Sequence, residues 1–135
     1  MNYYDQLNKV IDEIEMKLTE EINYKELAKI IGTSSYTLQR IFAFLTGITL
    51  TEYIRKRRLS KAGEELLSTN IKIIDLAIKY QYDSPISFSN SFKKMHGISP
   101  QTLRKNNLRL KTFPKIEFKP TTDIIEELEY RVINL

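Results

Sequence analysis

A chain of 135 residues, 41% hydrophobic and 28% charged, has room for one compact domain, or for one domain and a tail. It contains no cysteine and a single histidine, His96, which excludes a disulfide framework, a Cys/His zinc site and a cysteine nucleophile. The formal net charge of +4 is unevenly spread: residues 1–30 carry four basic and seven acidic side chains, residues 31–110 thirteen and five, a local positive excess of the kind nucleic-acid binders show.

No apolar run approaches the ~20 residues of a membrane span. Met1–Gln6 lacks the basic-then-apolar pattern of a signal peptide, so a cytoplasmic, nucleoid-associated protein with no membrane partner is expected. Leu7, Val10, Ile11, Ile14 and Leu18 recur at helical spacing and predict an amphipathic packing helix over 3–18. A short helix over 24–31 follows, with Asn23 and Glu26 placed as in a capping box and Gly32 at its end. Between Ser34 and Gly47 a third helix buries Leu38, Ile41, Phe42 and Leu45, with Ser34 or Ser35 as N-cap and Gly47 as stop. Its other face carries Tyr36, Thr37, Gln39 and Arg40. Gln and Arg are shaped for bidentate contact with adenine and guanine edges in a major groove. Two short helices joined by a glycine-containing turn make a helix-turn-helix candidate, against the plainer reading of a solvated polar face.

A long helix over about 50–67 is expected to bury Ile54, Leu59, Ala62, Leu66 and Leu67, with Gly63 marking a close helix contact. Arg55, Lys56, Arg57 and Arg58 surround that helix; one or two are expected to approach phosphate or an acidic neighbour and the rest to be solvated. The next helix, 72–80, is expected to bury Ile74, Ala77 and Ile78. Asp83-Ser84-Pro85 opens another, with Asp or Ser as cap, Pro in the first turn, a Phe88, Phe92, Met95 stripe and a stop at Gly97. His96 at its end is expected at the surface or stabilising the C-terminal dipole. Ser99-Pro100 begins a last short helix through Leu103 and Arg104.

The chain repeats itself. Leu27-Ala28 matches Leu76-Ala77 at an offset of 49, and Leu38, Phe42 and Gly47-Ile48-Thr49 match Phe88, Phe92 and Gly97-Ile98-Ser99 at an offset of 50. One residue is inserted in the second turn. The fold class predicted is all-α: two helix-turn-helix subdomains joined by a long helix, seven helices in all, with a short extended C-terminal tail. Recognition helices held parallel and about 34 Å apart would reach two successive major-groove segments without a dimer.

With these residues in place, the sequence over about 5–106 resembles the AraC/XylS family of bacterial transcription regulators. The most specific match is the second unit: Tyr82-Asp83-Ser84-Pro85, Phe88, Phe92-Lys93-Lys94, Gly97-Ile98-Ser99-Pro100 and Arg104. The resemblance implies a seven-helix domain, often monomeric, that binds double-stranded DNA with its third and sixth helices in the major groove. Carried over by position, the readers fall on Tyr36, Gln39 and Arg40 beside Ser35, and on Ile86, Ser89 and Asn90 flanked by Pro85 and Ser87. Phosphate contacts fall on Ser34, Lys93 and Lys94. Two positions depart from the pattern. Gln81 replaces the usual turn glycine, at the cost of strain if φ is positive there, and Asn90 stands where a basic residue is common. No catalytic residue, metal site or cofactor is implied.

The implied division is a DNA-binding domain over 1–107, with helix-turn-helix units at about 24–47 and 72–97 and the joining helix at about 50–67. Residues 108–135 would be linker and the start of something else. Thr112–Pro120 looks extended, and Leu128, Tyr130 and Val132 alternate as in a strand. The arrangement resembles regulators in which a GyrI-like effector-binding domain follows, so a small-molecule effector would act only through that missing domain. RNA polymerase is a further candidate partner. The alternative class is a helical protein-interaction module that reads no DNA sequence.

Overall fold

The computed structural model describes residues 2–119. Its helices are α1 (Tyr3–Met16), α2 (Tyr24–Ile30), α3 (Ser35–Thr46), α4 (Leu50–Ser68), α5 (Ile73–Lys79), α6 (Pro85–His96) and α7 (Pro100–Asn106), with no strand among the described residues. The strand expected within 128–135 lies outside them.

The chain divides into two compact units. One takes α1, Ile22–Tyr53 and the segment from Lys115; the other takes Lys17–Glu21 and Ile54–Pro114. In the first, α1 packs on α2 and α2 on α3. Leu7, Val10, Ile11 and Ile14 of α1 meet Leu27 and Ala28 of α2, Leu38, Ile41 and Phe42 of α3, and Leu50 and Tyr53 from the start of α4 in one core. The Phe42 and Tyr53 rings lie 5.4 Å apart. In the second, α5 and α7 both pack on α6. Its core holds Leu59, Ala62 and Leu66 of α4, Leu76 and Ala77, Phe88 and Phe92, and Leu103. Ring contacts run from Tyr82 to Phe88 at 5.4 Å, to Phe92 at 5.6 Å and on to His96 at 4.3 Å.

Several expectations need correcting. Ile74 and Ile78 are 51% and 62% exposed; α5 is buried instead through Leu76 and Ala77, with Tyr80 behind them. Leu45, Leu67 and Met95 are only half-buried. Asn23 does cap α2, accepting from the Lys25 and Glu26 amides at 2.9 and 3.3 Å, but the Glu26 carboxylate turns to Lys29 at 3.0 Å. Two of the four consecutive cations on α4, Arg57 and Arg58, turn to backbone carbonyls, against the expected phosphate, acidic neighbour or solvent. Arg57 is buried and donates to the Phe113 carbonyl, and Arg58 donates to the carbonyls of Leu18 and Glu20 at 2.9 and 2.7 Å. Arg104 likewise donates to Leu66 O at 3.2 Å from both Nε and Nη2, closing the carbonyl end of α4.

The segment after α7 is irregular but not a free linker. In the first unit the Asn8 amide donates to Phe118 O and accepts from its amide, both at 2.8 Å, as a neighbouring strand would. Tyr53 Oη accepts from the Ile116 amide at 3.0 Å, and Lys115 pairs with Asp12 at 2.6 Å. In the second unit Ser60 Oγ accepts from the Phe113 amide at 2.8 Å. The close contact expected at Gly63 is with this segment: a Cβ there would lie 2.2 Å from Leu110 Cδ2.

His96 is not a surface or dipole residue. It is half-buried, its Nε2 lies 3.0 Å from Leu59 O, and burial lowers its pKa below the ordinary 6.5 against the weaker opposing pull of that carbonyl.

Phe42→Ala and Phe92→Ala should each destabilise the fold by ~3–5 kcal/mol, since both rings are fully buried. Denaturant unfolding measures this, and a loss below ~1 kcal/mol would contradict the core assignment. For His96, the unfolded chain takes up a proton near 6.5 while the folded chain resists it to lower pH. The stabilisation is complete above that value and falls as pH drops through it. Between about pH 7.5 and about pH 5.5 the melting temperature of the native chain should fall more steeply than that of His96→Gln; equal slopes would show that His96 titrates alike in both states.

Candidate nucleic-acid interface

The two candidate reading helices are built by the same local rules. Both have 12 residues. Ser34 stands in extended conformation at the N-cap of α3, and its Oγ accepts from the Thr37 amide at 3.1 Å. Ser84 does the same for α6 with the Ser87 amide at 3.1 Å, and Pro85 occupies the first turn, where its missing N–H leaves no bond unmade. At the other end Gly47 and Gly97 adopt left-handed φ of 80° and 76°, and their amides close on Ala43 O and Lys93 O at 2.9 and 2.8 Å. Between these stops one apolar stripe is buried, so the opposite stripe must face outward.

That outward stripe carries the same three offsets in each unit. On α3 these are Tyr36, Gln39 and Arg40; on α6 they are Ile86, Ser89 and Asn90. Steps of three and four residues put each trio on one helix face. Tyr36 and Ile86 are 67% and 73% exposed, a large outlay of apolar surface at equivalent positions of the two helices. Arg40 is exposed and its guanidinium carbon lies 5.6 Å from the Tyr36 ring centroid; Gln39 is half-buried and its amide nitrogen donates back to Ser35 O at 3.3 Å. Both long polar side chains are therefore steadied along their own helix.

The remaining predicted residues fall as follows. Ser35 and Ser89 are half-exposed; Ser34 is exposed at its cap, where its hydroxyl also donates to Thr37 Oγ1 at 3.0 Å; Pro85, Ser87 and Asn90 are exposed in the first half of α6. Lys93 and Lys94 are exposed in the last turn of α6. Lys93, seven residues after Ile86, continues the outward face, and Lys94 is offset from it by one residue. Ser87 lies off the trio's face and serves through its backbone N–H. Among the described residues no cluster of His, Asp or Glu is arranged to hold a metal ion.

The turn before each helix shows how Gln81 is tolerated. Gly32 has φ 68° and Gln81 has φ 72°, the left-handed region disfavoured for a residue with a Cβ. The bonds match as well: the Gly32 and Thr33 amides reach Lys29 O and Ala28 O, and the Gln81 and Tyr82 amides reach Ile78 O and Ala77 O. The inserted residue comes after this point, so the turn is not reshaped at Gln81. Its side-chain amide donates to Thr19 O at 2.9 Å, which offsets part of the backbone strain.

Comparison with known proteins agrees with this construction. Residues 27–106 match the family described as a helix-turn-helix domain. Over 98 residues, 73% of this chain and of its relative, the sequence is 41% identical to the HTH-type transcriptional activator AarP of Providencia stuartii. The fold is similar to a solved transcriptional regulator with an AraC-type DNA-binding domain from Chromobacterium violaceum (TM-score 0.70, 22% identity, 76% of this chain and 91% of that one). It is also similar to the DNA-binding domain of AdpA solved with a target DNA (TM-score 0.67, 24% identity, 75% of this chain and 91% of that one). The chain belongs to the helix-turn-helix domain family, and its fold is that of the AraC/XylS type.

Proposed function

We propose that the protein is a DNA-binding transcription regulator that places α3 and α6 in successive major-groove segments of one duplex. The observation that carries this is the recurrence, in both units, of one frame: serine cap, buried stripe, left-handed glycine, and a trio of outward residues at identical offsets. Base reading falls to Tyr36, Gln39 and Arg40 beside Ser35, and to Ile86, Ser89 and Asn90, which Pro85 and Ser87 flank at the start of α6. Ser34, Lys93 and Lys94 contact phosphates, which sets register and affinity but carries little sequence information. The name of AarP as an activator and the DNA-bound AdpA domain support this reading.

We assign the finer points on the resemblance alone. The domain acts as a monomer on DNA in the nucleoid, RNA polymerase is its protein partner at a promoter, and the chain beyond residue 107 leads toward a GyrI-like domain through which an effector acts. We assign no catalytic residue and no cofactor.

The two helices are chemically unequal. A good bidentate contact is worth ~1–3 kcal/mol of discrimination, and only α3 offers Gln and Arg for one. Ile86 suits a thymine methyl, and Ser89 and Asn90 make lesser contacts. One half-site should therefore be strictly specified and the other loose. With a duplex selected from a random library and competition binding at fixed salt, Arg40→Ala should lose ~1–3 kcal/mol of specific binding. Gln39→Ala with Arg40→Ala should bring binding near the non-specific level, and Ser89→Ala with Asn90→Ala should lose less than half as much. Equal losses from the two double variants would contradict the asymmetry. Absence of any salt-sensitive duplex binding would return the chain to the class of protein-interaction modules.

A further inference from the structure

Within the second unit, the stretch Leu110–Phe113 is held at both ends by α4. Phe113 is held at three points: its amide donates to Ser60 Oγ at 2.8 Å, its carbonyl accepts from Arg57, and Lys56 Nζ lies 5.0 Å from its ring centroid. Ser60 is fully buried and Arg57 nearly so, although Ser and Arg rarely leave the surface without partners. A hydroxyl and a guanidinium one helical turn apart thus hold both backbone groups of one residue, its N–H and its C=O. At the other end Leu110 lies over Gly63, where a Cβ would meet its Cδ2 at 2.2 Å. The same small space is bordered by His96 Nε2, 3.7 Å from that Cβ position.

His96 is the last residue of α6, and it ties that helix to α4 through Leu59 O at 3.0 Å. Leu110 and His96 Nε2 thus border the same notch over Gly63, beside the bond that ties the end of α6 to α4. We propose that Leu110–Phe113 is a positioning strap for the recognition helix α6: α4 clamps it at Phe113, and Leu110 holds His96, and with it α6, in register. The residues act through His96 and touch no base. The inference rests on the proposed DNA reading for its consequence and on the geometry of the notch for its cause.

The test uses the full chain and four forms: native, Gly63→Ala, Leu110→Ala, and both together. The new methyl of Gly63→Ala must displace the Leu110 side-chain end from its seat over α4, while Ala in a helix interior itself favours α4. Leu110→Ala empties the notch without touching α4. In the double variant the methyl occupies space that Leu110 has left. Each form is assayed against a duplex selected from a random library with the native chain and against two versions with one half scrambled. The α6 half is the one whose scrambling is felt less when Ser89 and Asn90 are both alanine. Both single variants should lose selectivity for the α6 half by about three-fold or more, with selectivity for the α3 half unchanged and the double variant closer to native than either. Equal loss at both halves, or no loss, overturns the strap as a positioning element. If the native chain prefers no duplex over a random one, the DNA reading fails by itself. Amide exchange then decides the strap: amides of 93–96 exchanging about three-fold or more faster in both single variants, with 43–46 unchanged, support it, and unchanged exchange at 93–96 overturns it.

Discussion

A helix that buries a single stripe between two hard stops has no choice about what it shows. In α3 the stops are the Ser34 cap and the left-handed Gly47; in α6 they are Ser84 and Gly97. Leu38, Ile41 and Phe42 in one case, and Phe88 and Phe92 in the other, then set the rotation of each helix about its axis. A large buried side chain gains about 1.5–3 kcal/mol from leaving water, so turning the helix to hide Tyr36 or Ile86 would forfeit more than it recovered. The exposure of those two apolar residues follows from the core behind them.

The same frame leaves the chemistry of the outward face open. The cap, stripe and glycine are alike in both units, while the trio is Tyr, Gln and Arg in one and Ile, Ser and Asn in the other. The frame of each helix and the chemistry of its outward face are thus carried by different residues. The second turn shows the limit of this independence. Gln81 must accept the backbone conformation that Gly32 accepts without a Cβ, and it does so with a hydrogen bond to Thr19 O. A turn whose geometry is dictated by two packed helices can impose φ 72° on glutamine, because the strain of about 1–2 kcal/mol is small beside the core it serves.

What was legible in the sequence follows the same division. The apolar spacing of 3–18 and 34–47, the serine caps and the repeat at offsets of 49 and 50 are local signals, and the helices stand where those signals put them. Ile73-Ile74-Asp75-Leu76-Ala77-Ile78 was harder, because so short and so apolar a run offers more than one stripe. Only the partners of α5 decide that Leu76 and Ala77 are inside and that Ile74 and Ile78 are not. On α4, Leu50 and Tyr53 are buried within the first unit and Leu59, Ala62 and Leu66 within the second, so no single stripe runs its length. Arg57, Ser60 and His96 were opaque for a different reason. Their partners are backbone carbonyls and amides, which leave no trace in residue identity.

The arginines also change what the positive charge means. Arg57, Arg58 and Arg104 direct guanidinium N–H groups to carbonyls of the segment after α7, the turn after α1 and the end of α4 respectively. A planar fork of donors suits that task, and lysine's compact, strongly hydrated ammonium does not. Lys93 and Lys94 are exposed on α6, and Arg40 is the arginine on the outward face of a candidate reading helix. The cationic excess of residues 31–110 therefore overstates the charge that phosphates would meet. The salt dependence of duplex binding scales with the phosphates neutralised, and so it follows the few cations left on the outward faces rather than the net charge of the chain.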